Sequence, residues 1–124
     1  VTSYLDIEKA RLGERLRATV QVEPAAQDRP VPPMALQSLV ENAVKHGILV
    51  RGEGDIVVDA RIDGDGLRVE VRDTGPGFDL TAVPAGHGLD NLVERLQALF
   101  GDAAGLRVFR WDDQTVVELA LPAP

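Results

Sequence analysis

The chain has 124 residues, 44% of them hydrophobic, enough to close a single core of ordinary domain size without disulfides, since cysteine is absent. A net charge of −7, with three Phe, one Tyr and one Trp, argues against a nucleic-acid partner, while a nucleotide is not excluded because local groups set a pocket. No apolar run approaches the roughly 20 residues of a membrane span, and no charged-then-apolar leader opens the sequence; one soluble domain over residues 1–124 is expected.

From the N-terminus, Leu5, Ile7, Ala10, Leu12 and Leu16 recur at roughly helical spacing, which predicts a helix from Tyr4 to Leu16, weakened by Gly13. Arg17 to Glu23 alternates, with Ala18, Val20 and Val22 on one face, and reads as a strand. Pro24 to Pro33 is a proline-rich loop, and Pro33 suits a first helical turn. Met34 to His46 follows as a second helix whose stripe is Leu36, Leu39, Val40, Ala43 and Val44, with Gly47 placed as its C-terminal cap. Asp55 to Ile62 and Leu67 to Arg72 flank Asp63-Gly64-Asp65-Gly66 as a hairpin. Asp73 to Gly88 is a Gly- and Pro-rich loop. Leu89 to Phe100 is a third helix carrying Leu89, Leu92, Val93, Leu96 and Leu99, and a hairpin around Asp112-Asp113 joins Leu106–Arg110 to Thr115–Leu121. The sum is an α+β fold of two layers, about three helices on one face of a mixed sheet.

Three groups of residues stand at the ends of these elements. On the second helix, Ser38, Glu41, Asn42 and Lys45 fall at offsets 0, 3, 4 and 7 and line the face beside the apolar stripe. Amide and carboxylate oxygens are hard ligands suited to Mg²⁺, and Lys45 can meet a phosphate as a point charge. The plainer reading of the same face is a solvated surface with an i,i+4 pair. Asp73-Thr74-Gly75-Pro76-Gly77-Phe78 directly follows a strand. Its alternate glycines let backbone approach a ligand closely, and Asp73 can accept a hydrogen bond from an exocyclic amine such as that of adenine; otherwise the string is a plain turn.

The third group, Gly86-His87-Gly88-Leu89, runs into the third helix, where unpaired N–H groups and the positive dipole end suit phosphate. His87 reads either as a phosphate contact or as a loop histidine with no role. No Gly-Lys-Ser/Thr follows, so this is not a Walker loop, and the spacing of a dinucleotide-binding fingerprint is missing. His46 and His87 are the only histidines and lack close-spaced partners, which disfavours zinc.

Taken together these residues resemble the GHKL ATPase superfamily, which includes gyrase B, heat-shock chaperone ATPases, MutL and histidine kinases. Leu36-Gln37-Ser38-Leu39-Val40-Glu41-Asn42-Ala43-Val44-Lys45-His46-Gly47 looks like its N box, Asp73 to Phe78 its G1 box, and Gly86 to Leu89 its G2 box. The Val40-to-Gly47 string, the opening Tyr4 to Leu12 and the helix Leu89 to Leu96 are most similar to LytS-like sensor histidine kinases. Where those proteins commonly carry proline in the second helix, this chain has Ser38, and the segment from Phe78 to Gly86 is short, which implies a small lid.

The resemblance implies a two-layer α/β sandwich with ATP and Mg²⁺ between the helices. Asn42 would ligand the Mg²⁺, Asp73 would bind the adenine amino group, and Gly75 and Gly77 would shape that end of the pocket. Lys45 and His46 would contact phosphates, while Gly86, His87, Gly88 and Leu89 would form the lid side. Glu41 matches the general base of hydrolysing relatives, a position that in kinases supports phosphoryl transfer instead, and the resemblance leaves the two roles open; with Asn42 and Lys45 it makes up the expected catalytic set. The implied function is transfer of the γ-phosphoryl to a histidine outside this chain, in a cytoplasmic domain of a parent kinase that is membrane-anchored or not. Its expected partners are the parent's dimerisation and phosphoacceptor domain and, through it, a response regulator; the domain itself is expected to be monomeric, with neither nucleic acid nor membrane contact. Two alternatives stand beside this: a regulatory module that binds nucleotide or a partner without catalysis, and a serine kinase of the anti-sigma type.

Overall fold

The computed structural model describes residues 7, 10–29, 31, 35–48, 52–75 and 89–123, with the backbone alone for His46, Leu89 and Asp90. Pro33, Met34 and the greater part of the predicted loop, residues 76–88, lie outside the described residues.

Helical backbone at Ala10–Leu12 passes into a 3₁₀ turn at Gly13–Arg15, with Gly13 at φ 60°. The helix expected to reach Leu16 therefore stops short of it. A positive φ at Gly13 breaks the helical ladder, and Leu16 instead opens strand β1 (Leu16–Val22), where its side chain is fully buried. β1 lies parallel to β2 (Gly54–Asp63), pairing Leu16 with Gly54 and Val22 with Ala60. Parallel neighbours need a crossover, which here carries the short turn Pro24–Ala26 and helix α1 (Ala35–Ala43).

The first hairpin closes more tightly than expected. Asp63 and Gly66 pair with each other, so only Gly64-Asp65 turn the chain into β3 (Gly66–Asp73), with Gly64 at φ 63°. Helix α2 (Leu89–Phe100) has the predicted bounds, and Gly101 at φ 59° follows it as a left-handed stop. β4 (Gly105–Trp111) and β5 (Gln114–Leu121) form the closing hairpin, turned by Asp112 and Asp113, both at positive φ as a two-residue primed turn requires. Strand order is β1-β2-β3-β5-β4, with the single parallel pair at β1–β2 making the sheet mixed.

The period of two along each strand sorts the side chains. Ile56, Val58, Leu67, Val69, Val71, Val117, Leu119 and Leu121 face Leu39, Val40, Val44 and Ile48 from the α1 segment and Leu92 and Leu96 from α2. Burying each such side chain fully contributes about 1.5–3 kcal/mol. The opposite face carries a lattice of ion pairs, among them Arg61–Glu70 at 3.3 Å, Arg72–Asp59 at 3.7 Å and Arg107–Glu118 at 2.9 Å. One face of the sheet is thus covered by helices and the other is a charged surface, the α+β arrangement expected. The apolar alternation of β1 is only partly used: Ala18 is half-buried, whereas Val20 and Val22 are exposed at the sheet's edge.

Candidate functional site

The topology brings two of the three sequence groups to one place. The crossover delivers the C-terminal end of α1 above the start of β2, and β3, running antiparallel, returns to that same end, where Asp73 pairs with Ile56. Between α1 and β2 the chain leaves α geometry: Val44–Ile48 forms a π-helical turn that contains Lys45, His46 and Gly47. Such turns are frequent at functional sites.

Gly47 is therefore not the C-terminal cap expected of it. It is buried within the π turn and lies against the end of β3. A Cβ placed on Gly47 would stand 2.7 Å from Asp73 Cγ, and one placed on Gly75 would stand 2.8 Å from the Gly47 carbonyl carbon. Only two facing glycines let these backbones approach so closely.

Asn42, on the last turn of α1, is 2% exposed, and neither its Oδ1 nor its Nδ2 has a hydrogen-bond partner among the described residues. An orphaned buried amide costs about 1–3 kcal/mol and calls for an explanation. The expected polar face of this helix is graded from core to solvent rather than uniform: Asn42 is buried, Ser38 and Glu41 are half-buried, and Lys45 is exposed. Glu41 Oε1 accepts a hydrogen bond from Gln37 Nε2 at 2.9 Å, one turn earlier. Gln37 is not one of Ser38, Glu41, Asn42 and Lys45, so this is a different i,i+4 pair from the one the plainer reading expects, and it leaves Asn42 unaccounted for.

Asp73 is likewise 2% exposed, and its Oδ1 accepts the Gly75 N–H at 2.8 Å, so the carboxylate folds back over its own turn. Thr74 is tied to β2 from both sides: its Oγ1 accepts from the Asp55 N–H at 3.0 Å and its N–H donates to the Asp55 carbonyl at 3.3 Å. The carboxylate is thus set in a fixed backbone frame rather than on a loose loop.

Two residues of this frame escaped the sequence reading. Thr115, 1% exposed, stands directly opposite Asp73 in the β3–β5 register. Arg110, opposite Thr115 on β4, donates from Nη1 to the Gly75 carbonyl and to Thr115 Oγ1, both at 2.7 Å. A two-residue turn at Asp112-Asp113 predicts the Arg110–Thr115 pair from sequence. Nothing local predicts that Asp73 joins it, because that depends on which strand lies beside β5.

Gly77, Gly86, His87 and Gly88 lie outside the described residues, and Leu89 is placed by its backbone as the first residue of α2. Among the described residues no group of three or more His, Asp or Glu side chains could hold a metal ion. A cation here would take most of its oxygens from a ligand, and the unpartnered Asn42 Oδ1 is the protein oxygen that fits such a site. Among the described residues no helix is long and apolar enough to cross a membrane.

Comparison with known proteins bears on this geometry. The model of the family described as histidine kinase-, DNA gyrase B-, and HSP90-like ATPase matches residues 28–119. Sensor histidine kinase BtsS of Escherichia coli strain K12 is 33% identical over 124 residues, an alignment that covers 98% of this chain and 22% of BtsS. Sensor protein LytS of Staphylococcus saprophyticus is 34% identical over 135 residues, covering 98% of this chain and 23% of LytS. The chain thus spans less than a quarter of the length of these relatives. The catalytic domain of histidine kinase ThkA shares the fold, with a TM-score of 0.75 at 17% identity, covering 97% of this chain and 85% of that one. ThkA is also known in complex with the response regulator TrrA; that ThkA chain aligns with a TM-score of 0.66 at 12% identity, covering 98% of this chain and 38% of its own. With Asn42, Gly47, Asp73 and Gly75 toward one end of the sheet and the family match running through all four, the chain belongs to the histidine kinase-, DNA gyrase B- and HSP90-like ATPases.

Proposed function

We propose that residues 1–124 form one ATP-binding catalytic domain of a sensor histidine kinase, which binds Mg-ATP and donates the γ-phosphoryl to a histidine outside this chain. The observation that carries the reading is Asn42: a buried amide with both polar atoms unpartnered, on the helix whose end abuts Asp73. A fold keeps such a cost where a ligand repays it.

In this reading the exocyclic amine of adenine donates to the Asp73 carboxylate, which is held by the Gly75 N–H. Gly75 and Gly77 leave room for the base, Lys45 and His46 meet the phosphates from the π turn, and Gly86, His87, Gly88 and Leu89 close the phosphate end. Asn42 Oδ1 holds the Mg²⁺, which when bound offsets the charge of the phosphate oxygens. Glu41, steadied by Gln37, stands one residue from Asn42 and supports the transfer to the incoming histidine. The chemistry asks mainly for positioning and charge stabilisation: the bond from phosphorus to the β,γ-bridging oxygen breaks, ADP leaves, and a bond to the histidine nitrogen forms. The domain works in the cytoplasm as a monomer, alongside the parent's dimerisation and phosphoacceptor region, and a response regulator receives the phosphoryl group from that histidine.

The test supplies the chain with labelled ATP, Mg²⁺ and a separately produced phosphoacceptor region of a LytS-like kinase. An acid-labile, base-stable label on that region, absent with Asn42→Ala, is expected. Rapid steady-state ATP hydrolysis by the chain alone, without transfer to the acceptor, would contradict the proposal.

A further inference from the structure

We propose that Arg110 is a positioning residue that sets how strongly this site selects a purine bearing an exocyclic amine. The inference rests on the nucleotide-binding reading above and extends it to a residue outside the three sequence groups.

The Gly75 N–H donates to Asp73 Oδ1 at 2.8 Å, and the Gly75 carbonyl accepts from Arg110 Nη1 at 2.7 Å. Gly75 is thus pinned at both ends, its amide hydrogen by the carboxylate and its oxygen by a guanidinium reaching from the far edge strand, two strands away. Glycine has no side chain with which to fix its own backbone, so the hold of Arg110 on the Gly75 carbonyl adds to the Thr74–Asp55 bonds in setting where the Gly75 N–H, and the Asp73 oxygen that accepts from it, stand. The guanidinium suits this task because its hydrogens lie in a fixed plane.

The second hydrogen of the same Nη1 goes to Thr115 Oγ1, also at 2.7 Å. A hydroxyl oxygen that accepts from a guanidinium turns its own hydrogen away from it. Thr115 faces Asp73 across the β3–β5 pair, so the exposed Arg110 holds Thr115 directly and reaches Asp73 through Gly75. A carboxylate held in one orientation discriminates sharply between a donor and an acceptor on the base. A loosened one turns away from an acceptor and tolerates both.

The test is calorimetric titration of the chain with Mg-ADP and with Mg-inosine diphosphate, in which a carbonyl replaces the amine. Both are measured for the native chain, Arg110→Ala and Arg110→Lys, with the melting temperature of each ligand-free protein alongside. The native chain is expected to prefer ADP. Arg110→Ala should weaken ADP binding about tenfold, equivalent to ~1.4 kcal/mol, leave inosine diphosphate binding little changed, and so shrink the preference. Arg110→Lys, which can reach one of the two acceptors, should recover part of the loss. Equal weakening of both nucleotides, or an unchanged preference, overturns the inference and leaves Arg110 a structural residue. Failure of the native chain to bind ADP overturns the nucleotide reading, and this inference with it.

Discussion

In the proposed function, Asn42 and Gly47 are single residues that trade stability for the site. The Asn42 amide is desolvated without repayment among the described residues, so Asn42→Leu should stabilise the ligand-free chain by about 1–2 kcal/mol, provided the leucine packs without strain. The same variant should lose its response to Mg-ADP. Chemical denaturation with and without nucleotide checks both halves, and a destabilised Asn42→Leu that still responds to Mg-ADP would sink the assignment. Gly47→Ala acts in the opposite direction. Its Cβ would overlap the Asp73 carboxylate, so the variant should lose about 1–3 kcal/mol of stability from overpacking and bind nucleotide poorly; a denaturation midpoint equal to the native one would contradict the close approach. Asn42 and Asp73 stand out in the sequence as candidates because of their places in the motifs, and the fold brings their elements together. The reason for Gly47 is not legible there, since a glycine after a helical stripe reads as a cap, and only the returning β3 shows what it makes room for.

At the scale of elements, strand alternation and helical spacing located each segment but not its partner. The β2–β3 hairpin followed from its Asp/Gly turn, and α2 from its leucines. Which of those leucines would be buried did not follow: Leu92 and Leu96 are in the core, whereas Val93 and Leu99 are exposed, because the contact seam is narrower than the apolar stripe. Leu96→Ala should therefore cost about 2–4 kcal/mol, while Leu99→Gln should stay within roughly 0.5 kcal/mol of the native chain. Urea denaturation of the two variants tests this, and comparable losses in both would show that Leu99 is covered. Leu16 falls on the spacing of the first helix, but Gly13 at positive φ ends the ladder and hands Leu16 to the sheet. The π turn at Val44–Ile48 has no sequence mark of its own, since it arises from seating the helix end against Asp73.

Over the whole molecule the sheet order does what no local pattern can. Placing β3 between β2 and β5 lines up Asp73 with Ile56 on one side and Thr115 on the other, beneath the end of α1. A helical layer over one face and an ion-paired lattice on the other leave the buried polar groups Asn42, Asp73 and Thr115 gathered toward one end of the sheet. In an acidic chain of net charge −7, the proposed anionic nucleotide would need local positive charge, from Lys45 and a bound cation. The measurement that tests this most directly is the melting temperature of the chain titrated with ADP, with and without Mg²⁺, beside Asp73→Asn and Asn42→Ala. At about 100 times the dissociation constant the ligand should add roughly 2.7 kcal/mol, a rise on the order of 10 °C for a domain of this size. The native chain should show that rise, Asp73→Asn should lose it, and Asn42→Ala should lose or weaken it. A folded native chain whose melting temperature does not move with nucleotide would contradict the proposed nucleotide site.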